Sequence, residues 1–387
     1  MKNILAVLFS LLAINVFGNN IKINHGPYIC DMDSTSCTIV WTTDKPGMAW
    51  VEIAEMSDDH FYAQERQKYF ATLNGRKLVN DTVHQVRIDG LKPNTQYRYR
   101  IFTKEKSNWT FSDYVTYGEV ASSAVYGHEP YKLKTFPSSS SDAHFIVLND
   151  IHDRGAFMVD LCKNIDFSKI DFVVLNGDMT SMIENQEGLL NGFVDSLVSI
   201  CASEVPIFML RGNHETRGKF ADNLQRYFPT PSGKFYQLRN FFGVDFLFVD
   251  SGEDKPDSDI EYSDIADYDN YRVEQAKWIK KLRETKQIGN NKLVVFCHMP
   301  IEPDGWHGPL HLQKTIVPEL NKLNVSLMIS GHLHNYVFIE PNDIINFPNL
   351  ANDNNSYLDC TIKGGKLKVD VIGLDKAKAR HLSFDLK

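Results

Sequence analysis

The sequence predicts an all-β sandwich followed by an α/β domain, and three observations carry that prediction. From residue 21 to 136, short runs alternate apolar with polar and are separated by Pro, Gly and Asn. A serine-rich stretch, PSSSSD at 137–142, then interrupts the pattern. From residue 143 to 387, apolar runs alternate first with longer stretches of helical periodicity and finally with extended segments. Period-two alternation in short strands marks a half-buried sheet, whereas continuous apolar runs between helices mark a sheet buried on both faces.

Before this, the chain begins MKNILAVLFSLLAINVFGNN. One Lys precedes an apolar run from Ile4 to Phe17 that is too short to span a bilayer, and Val16 and Gly18 fit the small-residue positions before a cleavage site. Residues 1–18 therefore read as a signal peptide, and the mature protein is expected to be exported, periplasmic or extracellular. No Cys follows the run at a lipoprotein position, and no later stretch is apolar and long enough to cross a membrane.

The β-rich part includes alternating runs at 37–43, 49–54, 84–88 and 96–103. Cys30 and Cys37 flank the polar turn DMDSTS and either pair across a hairpin or remain thiols. Cys162, Cys201 and Cys297 lie in apolar patterns and read as buried thiols. Helical stretches are expected near 155–165, 183–202, 217–227, 273–286 and 311–323, and closing strands near 357–362, 366–372 and 381–385.

Composition narrows the function. Hydrophobic content of 43% and charged content of 23% are ordinary for a globular protein. A formal net charge of -8 argues against a nucleic-acid binder, which presents a basic surface. A phosphorylated small molecule remains open as a substrate, because bound metal ions bring their own positive charge. The oligomeric state is not legible.

Five apolar runs in the second part each end in ligand-type residues. The run 144–148 leads into Asp150 and His152; 172–175 into Asp178; 207–210 into Asn213, His214 and Glu215; 293–297 into His298; and 325–330 into His332 and His334. In open α/β sheets, ligands bind beyond the carboxyl ends of the strands. Each piece alone is most simply a turn, a cap or a buried histidine. Together, in order and each at a strand end, they form a metal centre. Carboxylate, imidazole and amide oxygen suit Zn, Mn or Fe rather than Ca. Asp178 is the natural bridge, since one carboxylate can hold two ions about 3.5–4 Å apart.

The phrases DIH, GD, GNHE, a later His and GHLH, spread over about residues 145–336, resemble the motifs of the calcineurin-like metallophosphoesterase superfamily. The phrase HQVRIDGLKPNTQYRYRIFT at 84–103, with Trp41 as a core tryptophan, is similar to a fibronectin type III domain. The pair places the chain nearest the purple acid phosphatase-like branch. The resemblance implies domains at 21–136 and 143–387. It also implies two divalent or mixed-valence ions, one held by Asp150, His152, Asp178 and His334, the other by Asp178, Asn213, His298 and His332. Asn213 and His214 would touch the phosphate, with His214 acting as the acid for the leaving group. His307, in PDGWHGP, would be a further phosphate contact.

Two departures from the purple enzymes stand out. Ser181 occupies the position of their colour-giving tyrosine, and His152 is present where they usually lack a metal-binding histidine. A neutral imidazole in place of a phenolate weakens the preference for ferric iron, so a colourless Zn, Mn or ferrous enzyme is expected. The expected activity is hydrolysis of phosphate monoesters by a hydroxide activated at the metals. The alternatives are a phosphodiesterase acting on nucleotide or lipid head-group diesters, or a catalytically dead binding protein. Trp306 reads as a substrate platform or a loop anchor, and His311 as a helix-start residue. Arg211 reads as half of a structural salt bridge. Asp250 reads as a cap or as an orienting partner of a ligand histidine.

Overall fold

The computed structural model describes residues 20–112, 114–123, 128–139, 142–289, 292–303, 305–374 and 379–386. The signal peptide expected at 1–18 lies outside the described residues, as do positions 140 and 141 of the serine-rich stretch. Among the described residues no helix is long and apolar enough to cross a membrane.

An all-β part is followed by an α/β part, as the patterning predicts. The α/β part uses two sheets. In the first, Ala143–Leu148, Phe172–Asn176 and Ile207–Leu210 run parallel side by side. Their side chains are almost all buried, which is why they read as unbroken apolar runs. In the second, Val244–Val249, Lys292–Cys297 and Val325–Ser330 are likewise parallel. The C-terminal strands Ser356–Lys363, Lys366–Gly373 and Arg380–Asp385 extend the first sheet antiparallel from its Ala143–Leu148 edge.

The opposite edge of that sheet is not legible in the sequence. Ile23–Cys30 joins Ile207–Leu210 in parallel through Cys30 and Ile207, and carries Cys37–Thr43 and Val83–Ile88 with it. One sheet of the N-terminal sandwich is thus continuous with the α/β sheet, in nine strands. The facing sandwich sheet contains Gly47–Glu55 and Gln96–Thr110. Trp41 bridges the two, fully buried, with its indole N–H donating to Thr103 Oγ1 at 2.9 Å.

The core between the two α/β sheets is largely phenylalanine. Phe145 and Phe172 stack at 4.7 Å, and Phe246 and Phe296 approach Phe145 edge-on from the other sheet. Such contacts add about 0.5–1.5 kcal/mol per pair beyond area burial, and truncating Phe172 to Ala would cost about 3–5 kcal/mol. The outer faces are covered by helices, Gly155–Cys162 and the 186–202 helix on one side and Tyr268–Glu284 on the other. The two sheets are therefore clamped face to face, with their strand C-termini on a shared rim.

Some local expectations shift. The helix expected at 217–227 is only a short 3-10 turn, Ala221–Arg226, because Gly218 sits at φ +94° and Pro229 follows closely. The helix expected from 273 starts at Tyr268, where Asp257 caps the N–H groups of Tyr268 and Asp269 from a distant loop. Cys30 and Cys37 are free thiols. Cys30 is opposite Thr38, so Cys37 points to the other face of the sheet, and the two belong to different cores.

Candidate metal centre

The shared rim brings all seven candidate ligands together. Asp150, Asp178 and Asn213 follow three neighbouring strands of the first sheet, while His298 and His332 follow two neighbouring strands of the second. Five of the positions are in left-handed backbone conformations: Asp150 (φ 53°), His152 (48°), Asp178 (53°), His332 (72°) and His334 (55°). Such strain in residues with side chains persists only where the surroundings enforce it, and it clusters at functional sites.

Glycines make the convergence possible. A Cβ on Gly177 would lie 2.5 Å from Nδ1 of His298; one on Gly212 would collide with the Asp178 carboxylate, and one on Gly331 with that of Asp150. Each motif's glycine therefore makes room for a candidate ligand from another strand. Main-chain bonds stitch the loops together: Asp150 N donates to Gly177 O at 3.0 Å, His152 N to Asp178 O at 3.0 Å, and Gly331 N to His298 O at 2.9 Å.

The facing atoms form three groups of potential ligands: Asp150, His152 and His334; His152, Asp178 and His214; and Asp178, His298 and His332. Asp178 belongs to two of them, consistent with a bridge. His152 Nε2 and His334 Nε2 are 3.0 Å apart, and His334 Nε2 is 3.3 Å from Asp150 Oδ1. His298 Nε2 lies 3.0 Å from Asp178 Oδ2.

These atoms are poorly satisfied by protein alone. Asp150 Oδ1 and His298 Nε2 are buried and have no hydrogen bond of proper geometry. Asn213 turns its amide oxygen toward His332 Nδ1, 3.1 Å away, and toward Asp178 Oδ2. Rotating that amide would satisfy the group without a cation. With its oxygen toward the centre, the same amide would instead join Asp178 and His332 as a ligand to a cation. Buried atoms left unsatisfied cost about 1–3 kcal/mol each, so the donor set fits metal ions.

Supporting bonds fix the remaining atoms. His298 Nδ1–H donates to Asn176 O at 2.8 Å, leaving Nε2 for the centre. Asp150 Oδ2 accepts from His332 N and Asn149 Nδ2, at 2.9 and 2.7 Å. Asp178 Oδ1 accepts from His214 N at 2.9 Å. Burial opposes ionisation of Asp178, but the neighbouring His298 outweighs it and the carboxyl sits below its ordinary range. Burial is the largest cause holding His332 down at about 4, so its ring stays neutral.

His214 is at the rim, with its ring 4.7 Å from that of His152. Its Nδ1 donates to the main-chain oxygen of Ser181 at 2.8 Å, which leaves Nε2 facing the centre, 4.0 Å from Asp178 Oδ2. His307 pairs with Asp269 at 2.8 Å and stacks on His311. Trp306 is 63% exposed. Arg211 and Asp250 form a salt bridge at 2.9 Å, as expected for Arg211. Asp250 also caps Gly252 N at 3.0 Å, so its capping role holds, and among the described residues its side-chain bonds go to Arg211, Tyr271 and Gly252 rather than to a histidine of the centre.

Two residues take roles that a reading of the sequence does not assign. Glu215 is fully buried, and its two oxygens accept from the main-chain N–H groups of Asp178, Met179, Thr180 and Gly212 at 2.7–3.1 Å. It fastens the GD loop to the GNHE loop. Arg217 reaches His214 Nε2 with Nη1 at 3.3 Å while Glu253 holds its other edge. The three-residue spacing from His214 on a helical turn is the available signal.

The chain is similar to known proteins in family and in fold. Residues 143–336 match the family described as Calcineurin-like phosphoesterase, and residues 29–117 match the one described as Purple acid Phosphatase, N-terminal domain. No curated protein matches. Among solved structures, a purple acid phosphatase from seeds of yellow lupin (Lupinus luteus) is 14% identical, with a TM-score of 0.62 over 93% of this chain and 74% of its own. The protein TT1561 of Thermus thermophilus is 12% identical, with a TM-score of 0.38 over 63% of this chain and 99% of its own. The FN5 domain of Drosophila Lar is 16% identical, with a TM-score of 0.20 over 30% of this chain and 97% of its own. The lupin likeness is one of fold.

Proposed function

Because the chain belongs to the calcineurin-like phosphoesterase family, we propose that it hydrolyses phosphate monoesters at a dinuclear metal centre held by Asp150, His152, Asp178, Asn213, His298, His332 and His334. The observation that carries this reading is the convergence of His and Asp ligand groups on Asp178, beside the unsatisfied Asp150 Oδ1 and His298 Nε2. Two ions held there would supply Lewis-acid polarisation of a phosphoryl oxygen and would acidify a water toward neutral pH.

The protein's own groups then do the following. Asp178, in two of the three ligand groups, would be the carboxylate shared by the two ions. Ser181 O holds the His214 ring so that Nε2 faces the substrate side, and there a protonated Nε2 would deliver its proton to the departing alkoxide once released from Arg217 Nη1, which approaches it at 3.3 Å. Glu215 keeps Asp178 and the Asn213 loop in register. Ser181 offers no phenolate, so Zn, Mn or ferrous iron fits the centre better than ferric iron. His307 stays a proposal as a phosphate contact and would have to leave Asp269 to act.

The chain is also proposed to be exported through cleavage after Gly18, with residues 21–136 and 143–387 as its two domains; the N-terminal sequence of protein recovered outside the cytoplasm checks the first point.

Assay of metal-repleted protein against para-nitrophenyl phosphate and its bis-ester tests the function. Turnover of the monoester above the diester is expected. Failure of both esters with every metal would sink the reading. His214→Ala should keep the metals and lower kcat on the order of 10²-fold, and loss of the metals would show that His214 is itself a ligand.

A further inference from the structure

Arg217 follows the 3-10 turn His214–Thr216. One edge of its guanidinium is locked by Glu253, with Nε to Oε1 at 2.8 Å and Nη2 to Oε2 at 2.9 Å. Glu253 is buried and is held in turn by the hydroxyls of Thr216 and Tyr262, at 2.8 and 3.0 Å. The fork therefore cannot swing freely. Its free edge faces the metal-centre rim, with Nη1 3.3 Å from His214 Nε2, and the side chain is 26% exposed, so a ligand can reach it.

Nε and Nη2 are spent on Glu253, so Nη1 is the atom a ligand would meet. An anionic oxygen placed beside it would form a charge-assisted bond, roughly twice as strong as a neutral one. Next to the proposed phosphoesterase centre, that oxygen would belong to a phosphoryl group.

We propose that Arg217 is a substrate-contacting residue that receives a non-bridging phosphoryl oxygen and so selects monoesters over diesters. The inference rests on the phosphoesterase reading above. A monoester has three free phosphoryl oxygens, and charge develops on all of them during transfer. Two can face a metal pair, and the third needs a donor from the protein. In a diester that third oxygen carries a second alcohol, cannot accept as an anion, and would clash with a fixed guanidinium. Arg217 supplies the geometry, and the buried Glu253 keeps it from following a wrong substrate.

The test uses the full-length metal-loaded protein with Arg217→Gln and Arg217→Lys, para-nitrophenyl phosphate, its bis-ester, and inorganic phosphate as inhibitor. Expected are unchanged metal content, a fall in monoester kcat/KM of roughly 10²-fold, and a diester change within a few-fold. Inhibition by inorganic phosphate should weaken in parallel. Lys keeps the charge but lacks the fork, so it should restore phosphate inhibition in part and monoester preference little. Equal losses for both esters, or unchanged phosphate inhibition, would overturn the proposal and leave Arg217 a support for His214. A wild-type protein inactive on both esters would instead defeat the phosphoesterase reading itself. If Arg217→Gln fails to fold, the Lys variant alone decides by the same ratio.

Discussion

Gly212 packs so closely on Asp178 that a Cβ at this position would collide with the carboxylate and come within 2.5 Å of the Asp178 main-chain nitrogen. The neighbouring atoms are main chain and a candidate metal ligand, and neither can retreat without moving the centre. Gly212→Ala should therefore destabilise the fold by about 1–3 kcal/mol and displace Asp178. Metal content and thermal midpoint should fall together. Gly188, whose Cβ would meet only Asn185 Oδ1 at 3.5 Å, is the control, and Gly188→Ala should leave both quantities near wild type.

Glu215 leads to a second expectation. Its carboxylate accepts from four main-chain N–H groups, so a residue with a single oxygen cannot replace it. Glu215→Gln turns an amide N–H₂ toward N–H groups and leaves buried donors unpaired, at about 1–3 kcal/mol for each. A large drop in thermal midpoint is expected, accompanied by weaker metal binding. A variant with wild-type stability would show that the four bonds are dispensable.

The strand ends carrying DIH, GD, GNHE, His298 and GHLH are legible because ligand-type residues at the close of buried apolar runs are unusual. The roles of the glycines are not, since close approach between strands far apart in sequence leaves no local pattern. The same limit hides the parallel pairing of Cys30 with Ile207. That pairing depends on a strand edge left open in a different part of the chain. The opposed faces of Cys30 and Cys37 follow from strand register, which a turn-like spacing does not reveal. Arg217 stays hidden because its meaning comes from Glu253, brought to it by the loop after a strand of the second sheet.

Acid sensitivity should arise far from the centre, at His84. This ring is buried against Trp41 and bonded to Thr43 Oγ1 at 2.7 Å, and burial lowers its pKa to about 4. The folded chain keeps His84 neutral, while the unfolded chain takes up a proton near 6.5. Its contribution is thus fully present above about pH 6.5 and is lost as pH falls toward 4, by up to about 3 kcal/mol. Denaturant titrations at pH 7 and 4.5 check this: the stability gap between wild type and His84→Gln should narrow on acidification. A constant gap would contradict it.

Ser181 sets the optical signature. Its main chain is tied on both sides, N–H to Asp153 Oδ2 and C=O to His214, and its side chain brings no phenolate to the metals. The metal-loaded protein should show no intense visible band. A strong charge-transfer absorption in the protein as isolated would mean that another phenolate reaches a ferric ion.

The most direct test of the central claim is the number of transition-metal ions per chain, measured by elemental analysis on wild type and on Asp178→Asn after identical repletion. The account predicts about two ions in the wild type and loss of both metals and turnover in the variant, since one carboxylate is taken to hold the pair together. A wild-type protein without stoichiometric metal, or an Asp178→Asn variant that keeps both ions, would contradict it.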